Sequence, residues 1–225
     1  MNVLIINGHP RKDSMSAAFT EAYATGAKEA GAVTEVMHLV DLSFEPNVNN
    51  IIPHRQRLEP DIENAQRLIT WAEHIVFIYP TWWGTMPALI KAFLDRVLTS
   101  GFAFEEIEGG TGYGPLLRGK TAQIITTMDT PLFVYKLIYH SPGHNAMKIA
   151  TLGFCGFNMA KTLNFGPVKK STEEIRKQWI EKVRTEALKL KRGPVSSWKK
   201  FKIQAGTWMK AVRLQFYPMT LLLTR

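Results

Sequence analysis

Five short apolar runs, alternating with stretches of helical periodicity, limit what this chain can fold into. Val3-Leu-Ile-Ile6 is apolar at every position and stops at Asn7-Gly-His-Pro10. A run of that kind suits a strand covered on both faces. Residues 14–30 then carry Phe19, Ala22, Tyr23, Gly26 and Ala30 at helical spacing and stop at Gly31, a residue suited to ending a helix. The pattern repeats along the chain. Strands are predicted at Val33–Leu39, Ile75–Tyr79, Thr121–Thr127 and Met159–Phe165. Helices are predicted from Pro60 to about Trp71, over Pro87–Leu98 with proline in the first turn, over 143–154 and over Ser171–Leu190. The stretch 105–119 reads as a Gly-rich loop. Such an alternation builds a parallel sheet with helices on both faces, and five strands favour the order 2-1-3-4-5 over a six-stranded dinucleotide fold.

Composition removes several classes. One cysteine, Cys155, excludes an intrachain disulfide framework and a four-Cys metal site, and its apolar neighbours make it a buried, inert thiol. No run reaches the roughly 18 apolar residues of a membrane span, and the opening run is too short for a signal peptide, so a cytoplasmic protein is expected. The 28 bases and 19 acids are unevenly placed. After Glu186 come nine bases and no acid, so removing those nine from 28 leaves residues 1–188 with 19 bases against 19 acids. A neutral body with a basic end argues for local docking rather than nucleic acid. Gly193-Pro194 divides a domain over 1–192 from a basic extension over 193–225. The spacing of Trp198, Phe201, Ala205, Trp208 and Val212 fits an amphipathic helix, lying on an anionic membrane surface or wrapped on the body or a partner.

In a parallel sheet of this kind ligands sit outside the carboxyl ends of the strands, and three loops converge there. The first, Gly8–Ser16, runs from strand to helix and offers His9, Arg11, Ser14, Met15 and Ser16. Backbone N–H groups and the helix dipole at such a place favour an anion; Ser14 alone also reads as a plain N-cap. No Walker or G-x-G-x-x-G pattern is present, which disfavours nucleoside triphosphates and a standard dinucleotide site. The second loop, Pro80-Thr-Trp-Trp-Gly84, puts Trp82 and Trp83 on the rim, to stack a flat ligand or to fold back on the core. The third is Thr126-Thr-Met-Asp129, followed by Tyr135, Tyr139 and His140. His38, His54, His74 and His144 lack ligand-like spacing and read as structural or solvent-facing. No metal site is expected.

The stretches Ile5-Ile-Asn-Gly-His-Pro10, Trp71-Ala-Glu-His-Ile-Val-Phe-Ile-Tyr-Pro-Thr-Trp-Trp-Gly-Thr-Met-Pro-Ala-Leu-Ile-Lys-Ala-Phe-Leu-Asp-Arg-Val97 and Phe154-Cys-Gly-Phe157 carry a resemblance. Over roughly residues 2–185 the chain resembles the flavodoxin-like NAD(P)H:quinone oxidoreductases, including the modulator-of-drug-activity type and the ancillary subunits of potassium-efflux systems. The resemblance implies a flavodoxin-like fold, a bound flavin (FMN or FAD), and a homodimer with sites at its interface. It implies ping-pong hydride transfer from NAD(P)H through the flavin N5 to a quinone or similar flat acceptor. It places the flavin phosphate on His9, Ser14, Met15 and Ser16, the ring along Pro80, Thr81, Trp82, Trp83 and Gly84, and the pyrimidine edge on Thr126, Thr127, Met128 and Asp129. It gives Tyr135 and His140 the part of assisting hydride transfer, with Tyr135 one residue out of register. Where the family has Thr-Thr-Gly-Gly, this chain has Thr-Thr-Met-Asp. The alternatives are a flavin-binding regulatory subunit of a membrane transport system, peripheral at the inner face of the membrane through the basic extension, and a one-electron flavodoxin carrier.

Overall fold

The computed structural model describes residues 1–50, 56–107 and 112–190. The expectations for the basic extension and the ancillary-subunit alternative built on it therefore lie outside the described residues. The chain runs β1 (Asn2–Asn7), α1 (Met15–Glu29), β2 (Val33–His38), α2 (Pro60–Trp71), β3 (His74–Pro80), α3 (Ala88–Val97), β4 (Phe104–Glu106), β5 (Tyr113–Pro115), β6 (Thr121–Thr127), α4 (Pro142–Asn145), β7 (Asn158–Met159), β8 (Leu163–Phe165) and α5 (Glu173–Ala187). Strands β2, β1, β3, β6 and then β7 and β8 lie side by side, all parallel. That is the expected 2-1-3-4-5 order.

Alternation along each strand divides the core. Leu4, Ile6, Ile75 and Phe77 face α2 and α3, where Ile62, Ile69, Ile90 and Phe93 are buried. Val3, Ile5, Val76 and Ile78 face the other way, toward Phe19 and Tyr23 of α1 and Val183 and Ala187 of α5. The order of the central strands is fixed because both sides of each are buried. At the base of the sheet Tyr23 donates to Gln123 Oε1 at 2.8 Å. His74 lies 3.2 Å from the Tyr23 hydroxyl and 2.7 Å from the Thr121 hydroxyl. This network satisfies polar groups that burial would otherwise penalise.

Three expectations need correction. The strand expected over Met159–Phe165 is broken. Ala122 pairs with Met159 and Ile125 with Leu163, so one more residue stands on the outer strand than on β6 between the two pairs. That is a bulge, and the Gln123 side chain closes it by donating to the Lys161 carbonyl at 2.9 Å. The stretch read as loop from 105 to 119 contains an antiparallel hairpin of β4 and β5, in which Phe104 and Tyr113 pack edge-on with their rings 5.5 Å apart. The helix expected over 143–154 is α4 followed by a π-helical segment, Ala146–Gly153.

Helices α1 and α5 approach closely at Gly26. A Cβ there would collide with the Arg184 carbonyl and lie 3.0 Å from the Ala187 Cβ. Gly26→Val is expected to force the helices apart and destabilise the fold by about 2 kcal/mol, read as a lower urea midpoint; an unchanged midpoint would contradict the packing.

Candidate functional site

The first rim loop is a cradle of unused donors. Asn7 ends β1, and its Oδ1 accepts from the His9 N–H at 3.0 Å. His9 Nδ1 accepts from the Arg11 N–H at 3.0 Å. An accepting Nδ1 places the proton of the neutral ring on Nε2. Burial first, and then the Arg11 charge, hold the His9 pKa below its usual value. His9 is thus a neutral donor whose Nε2–H has no partner among the described residues. Ser14 caps α1, its Oγ accepting from the Ala17 N–H at 3.2 Å, which leaves the Ser14 hydroxyl proton free. The N–H groups of Met15 and Ser16, in the first turn, have no acceptor among the described residues, as expected of a helix start. Ser16 is buried, and its Oγ has no partner among the described residues. Buried donors left unpaired cost about 1–3 kcal/mol each; an anion would satisfy them together. An open recess of about 410 Å³ adjoins the cradle, lined by Arg11, Asp13, Ser14, Met15, Arg176 and Ile180 among others.

The second loop is a two-residue hairpin turn. Trp82 N–H donates to the Thr85 carbonyl at 2.8 Å, and Thr85 N–H to the Trp82 carbonyl at 2.9 Å. Its central residues, Trp83 and Gly84, have φ of 51° and 75°. Two left-handed residues in succession are what such a turn requires. Glycine adopts that conformation freely, whereas tryptophan pays on the order of 1–3 kcal/mol. Trp83 is 102% exposed and Trp82 45%, so neither indole is used up by the core. Trp82 stands edge-on to His9, ring centres 5.8 Å apart, which joins this turn to the cradle. Pro80 ends β3, and Thr81 N–H donates to the Thr127 carbonyl at 2.7 Å.

The third loop locks onto the second. Tyr135 is 1% exposed. Its hydroxyl donates to the Gly84 carbonyl at 3.2 Å and accepts from the His144 N–H at 3.3 Å. Gly143 N–H donates to the same carbonyl at 3.0 Å. A Cβ at Gly143 would lie 2.7 Å from the Thr85 Cα, so only glycine allows this approach. The Thr126 hydroxyl donates to Asn164 Oδ1 at 2.8 Å and lies 3.4 Å from His144 Nε2. With its one proton committed, Thr126 accepts there, and His144 carries its proton on Nε2. Thr127 is buried beside it. Met128 is buried, its N–H donating to the Phe165 carbonyl at 2.9 Å. Asp129 is exposed and tied to Lys169, accepting from its N–H at 2.8 Å.

Among the residues singled out in the sequence, His9, Ser14, Met15 and Ser16 come together with Trp82, while Thr126, Tyr135 and Gly84 meet at the neighbouring loop. Arg11 is exposed at the mouth of the recess. His140 does not join Tyr135. It is exposed, has a φ of 55°, and engages the site segment only through its carbonyl, which accepts from Asn145 Nδ2 at 2.8 Å. The histidine against Tyr135 is His144, 6% exposed, with ring centres 5.0 Å apart. Sequence reasoning missed it; its one local mark is the preceding Pro142-Gly143, a helix opener followed by a residue that permits close packing. Cys155 is buried, and burial pushes its thiol up to about 11, consistent with an inert thiol. No cluster of metal-ligating side chains occurs among the described residues, and none of their helices is long and apolar enough to cross a membrane.

A parallel sheet in the order 2-1-3-4-5, with a cradle of free donors and an exposed aromatic turn at its carboxyl rim, defines a flavodoxin-like protein. The family described as flavodoxin-like fold matches residues 1–187. An uncharacterized NAD(P)H oxidoreductase of Haemophilus influenzae is 32% identical over 192 residues, covering 80% of this chain and 91% of that protein. The human ribosyldihydronicotinamide dehydrogenase (quinone) is 28% identical over 216 residues, covering 81% and 90%. The structure of an NAD(P)H:quinone oxidoreductase from Methanothermobacter marburgensis superposes with a TM-score of 0.74 at 24% identity, over 85% of this chain and 99% of that one. The chain belongs to the flavodoxin-like family of NAD(P)H:quinone oxidoreductases.

Burial holds His144 down to about 4, helped by Lys148 and Lys136, and burial alone does the same for His74. Both are neutral in the fold, while the unfolded chain takes up protons near pH 6.5. Between those values the unfolded state binds more protons, so stability falls as pH drops from 6.5 toward 4. Urea midpoints are expected to decline across that window, and His74→Gln to shallow the decline; an unaltered slope in the variant would contradict the assignment.

Proposed function

We propose that this chain is a flavin-dependent NAD(P)H oxidoreductase that passes two electrons to a quinone or similar flat acceptor, with one slot serving donor and acceptor in turn. The observation that carries this reading is the unpartnered, buried Ser16 Oγ. It stands in a loop whose neighbouring donors, His9 Nε2–H and the Met15 and Ser16 N–H groups, are equally free. That donor set suits a phosphate ester. When bound, the flavin supplies a ring that accepts hydride from NAD(P)H and returns two electrons to the acceptor.

The chain's own residues have distinct parts in this reading. His9, Ser14, Met15 and Ser16 hold the phosphate. Arg11 and Arg176 line the recess of about 410 Å³ beside them, together with the Asp13 carboxylate. Trp82 and Trp83 form the wall of the slot and exclude water from the stacked rings. Pro80 and Thr81 carry the turn, and Thr127, Met128 and Asp129 border its far edge. Tyr135, whose pKa burial raises, keeps its proton at neutral pH and fixes the turn through Gly84. His144 holds Tyr135 in place through its backbone N–H. His140 faces solvent, where it is free to meet a substrate at the outer edge. A second copy of the chain covers the exposed Phe133, Leu137 and Ile138 beside Tyr135.

Mass analysis of the purified protein after denaturation should find a flavin, FMN or FAD. Initial rates with NAD(P)H and a quinone should give parallel double-reciprocal lines. Ser16→Ala should weaken flavin binding about ten- to a hundredfold, the worth of a hydrogen bond to a charged group. A colourless protein that takes up no added flavin would overturn the reading. Light scattering should give twice the chain mass; Leu137→Lys should shift it toward the monomer.

A further inference from the structure

Residues 130–172 contain five lysines and no acid. Two of those lysines flank the Tyr135–His144 pair. Lys136 follows Tyr135 on the π-helical segment Val134–Ile138 and is exposed. Lys148 lies four residues beyond His144 in Ala146–Gly153, on the same face of the continuing helix, and is half-buried. Both charges act on His144, and Lys136 acts on Lys148, so the three groups share one neighbourhood. Several other lysines have carboxylate partners, among them Lys91 with Asp95 at 2.6 Å, Lys177 with Glu173 at 2.8 Å and Lys189 with Glu186 at 2.7 Å. Among the described residues neither Lys136 nor Lys148 has a carboxylate or any other hydrogen-bond acceptor. Two like charges brought together without a counter-charge, one of them partly desolvated, destabilise the fold until an anion joins them. Their location is specific. Tyr135 reaches the Gly84 carbonyl at 3.2 Å, and the His144 ring reaches Thr126 at 3.4 Å, so the pair stands behind the aromatic turn.

We propose that Lys136 and Lys148 form a docking site for an anionic substituent, a sulfonate, carboxylate or phosphate, on the flat substrate that enters beside the Trp82–Trp83 turn. The proposal rests on the oxidoreductase reading above and adds the class of substrate that the site prefers. The anion belongs either to the electron acceptor or to the 2′-phosphate that distinguishes NADPH from NADH.

The test compares the flavin-loaded protein with the double variant Lys136→Gln/Lys148→Gln and the charge-conserving Lys136→Arg/Lys148→Arg. Two substrate pairs are used, 1,2-naphthoquinone-4-sulfonate against 1,2-naphthoquinone, and NADPH against NADH. The Gln variant should raise KM about tenfold for the anionic member of one pair, as expected for two partly exposed charges. It should leave kcat and the neutral member unchanged, and the Arg variant should restore KM. Divergence in the quinone pair assigns the anion to the acceptor, and divergence in the nucleotide pair assigns it to the 2′-phosphate. Equal shifts for anionic and neutral members, or no shift, would overturn the proposal. Calorimetric titration with 1,2-naphthoquinone-4-sulfonate reads the same contact without turnover and should show a Kd about tenfold weaker in the Gln variant. A protein that discriminates in the titration but turns over no NAD(P)H would sink the oxidoreductase reading and keep the anion site. A protein that turns over both quinones alike in all three forms would do the reverse.

Discussion

The carbonyl oxygen of Gly84 ties the rim together. It accepts the Tyr135 hydroxyl and the Gly143 N–H, two donors from one segment of the third loop, and so fixes that loop against the aromatic turn. Each bond is worth only about 1 kcal/mol, yet both depend on geometry set elsewhere. The turn must hold Trp83 and Gly84 in left-handed conformations to aim the carbonyl, and residue 143 must lack a side chain to come within reach. Trp83 spends conformational energy to stand fully exposed. Strain of that kind persists where surrounding contacts over-determine it, here the paired Trp82–Thr85 hydrogen bonds on one side and the Gly143 contact on the other.

Charge organises the rest of the rim. The cradle at the start of α1 gathers donors and no committed acceptor, with His9 neutral and its proton on the free nitrogen. The third loop adds Lys136 and Lys148 behind Tyr135. The carboxylate of Asp129 is engaged by Lys169, and Met128 is buried. This stretch of the third loop is thus held by β8 and the segment after it, through the Phe165 carbonyl and the Lys169 N–H.

The sheet order and the three converging loops were legible in the sequence because strands buried on both faces read as unbroken apolar runs, and because the breakers that end them mark the rim. The exposed indoles were legible too: two tryptophans in a loop bounded by Pro80 and Gly84 had few ways to be buried. What stayed hidden has physical causes. The bulge at 160–162 depends on a long-range bond from Gln123, and periodicity carries no trace of such a bond. The hairpin at 104–115 is stabilised by aromatic contacts among Phe104, Tyr113 and Phe154 and not by strand propensity. The resemblance points to His140 by its distance from Thr126; the π-helical course after Tyr135 and the left-handed step at His140 and Ser141, neither marked by periodicity, are what bring His144 against Tyr135.

The claim on which the functional account stands is that the donors of the first loop exist to hold the phosphate of a flavin. Calorimetric titration of flavin-free protein with FMN and with riboflavin isolates that phosphate, since the two ligands share one ring system. The account predicts that FMN binds at least about a hundredfold more tightly, from several charge-assisted hydrogen bonds formed at once. Equal affinity for the two would contradict it.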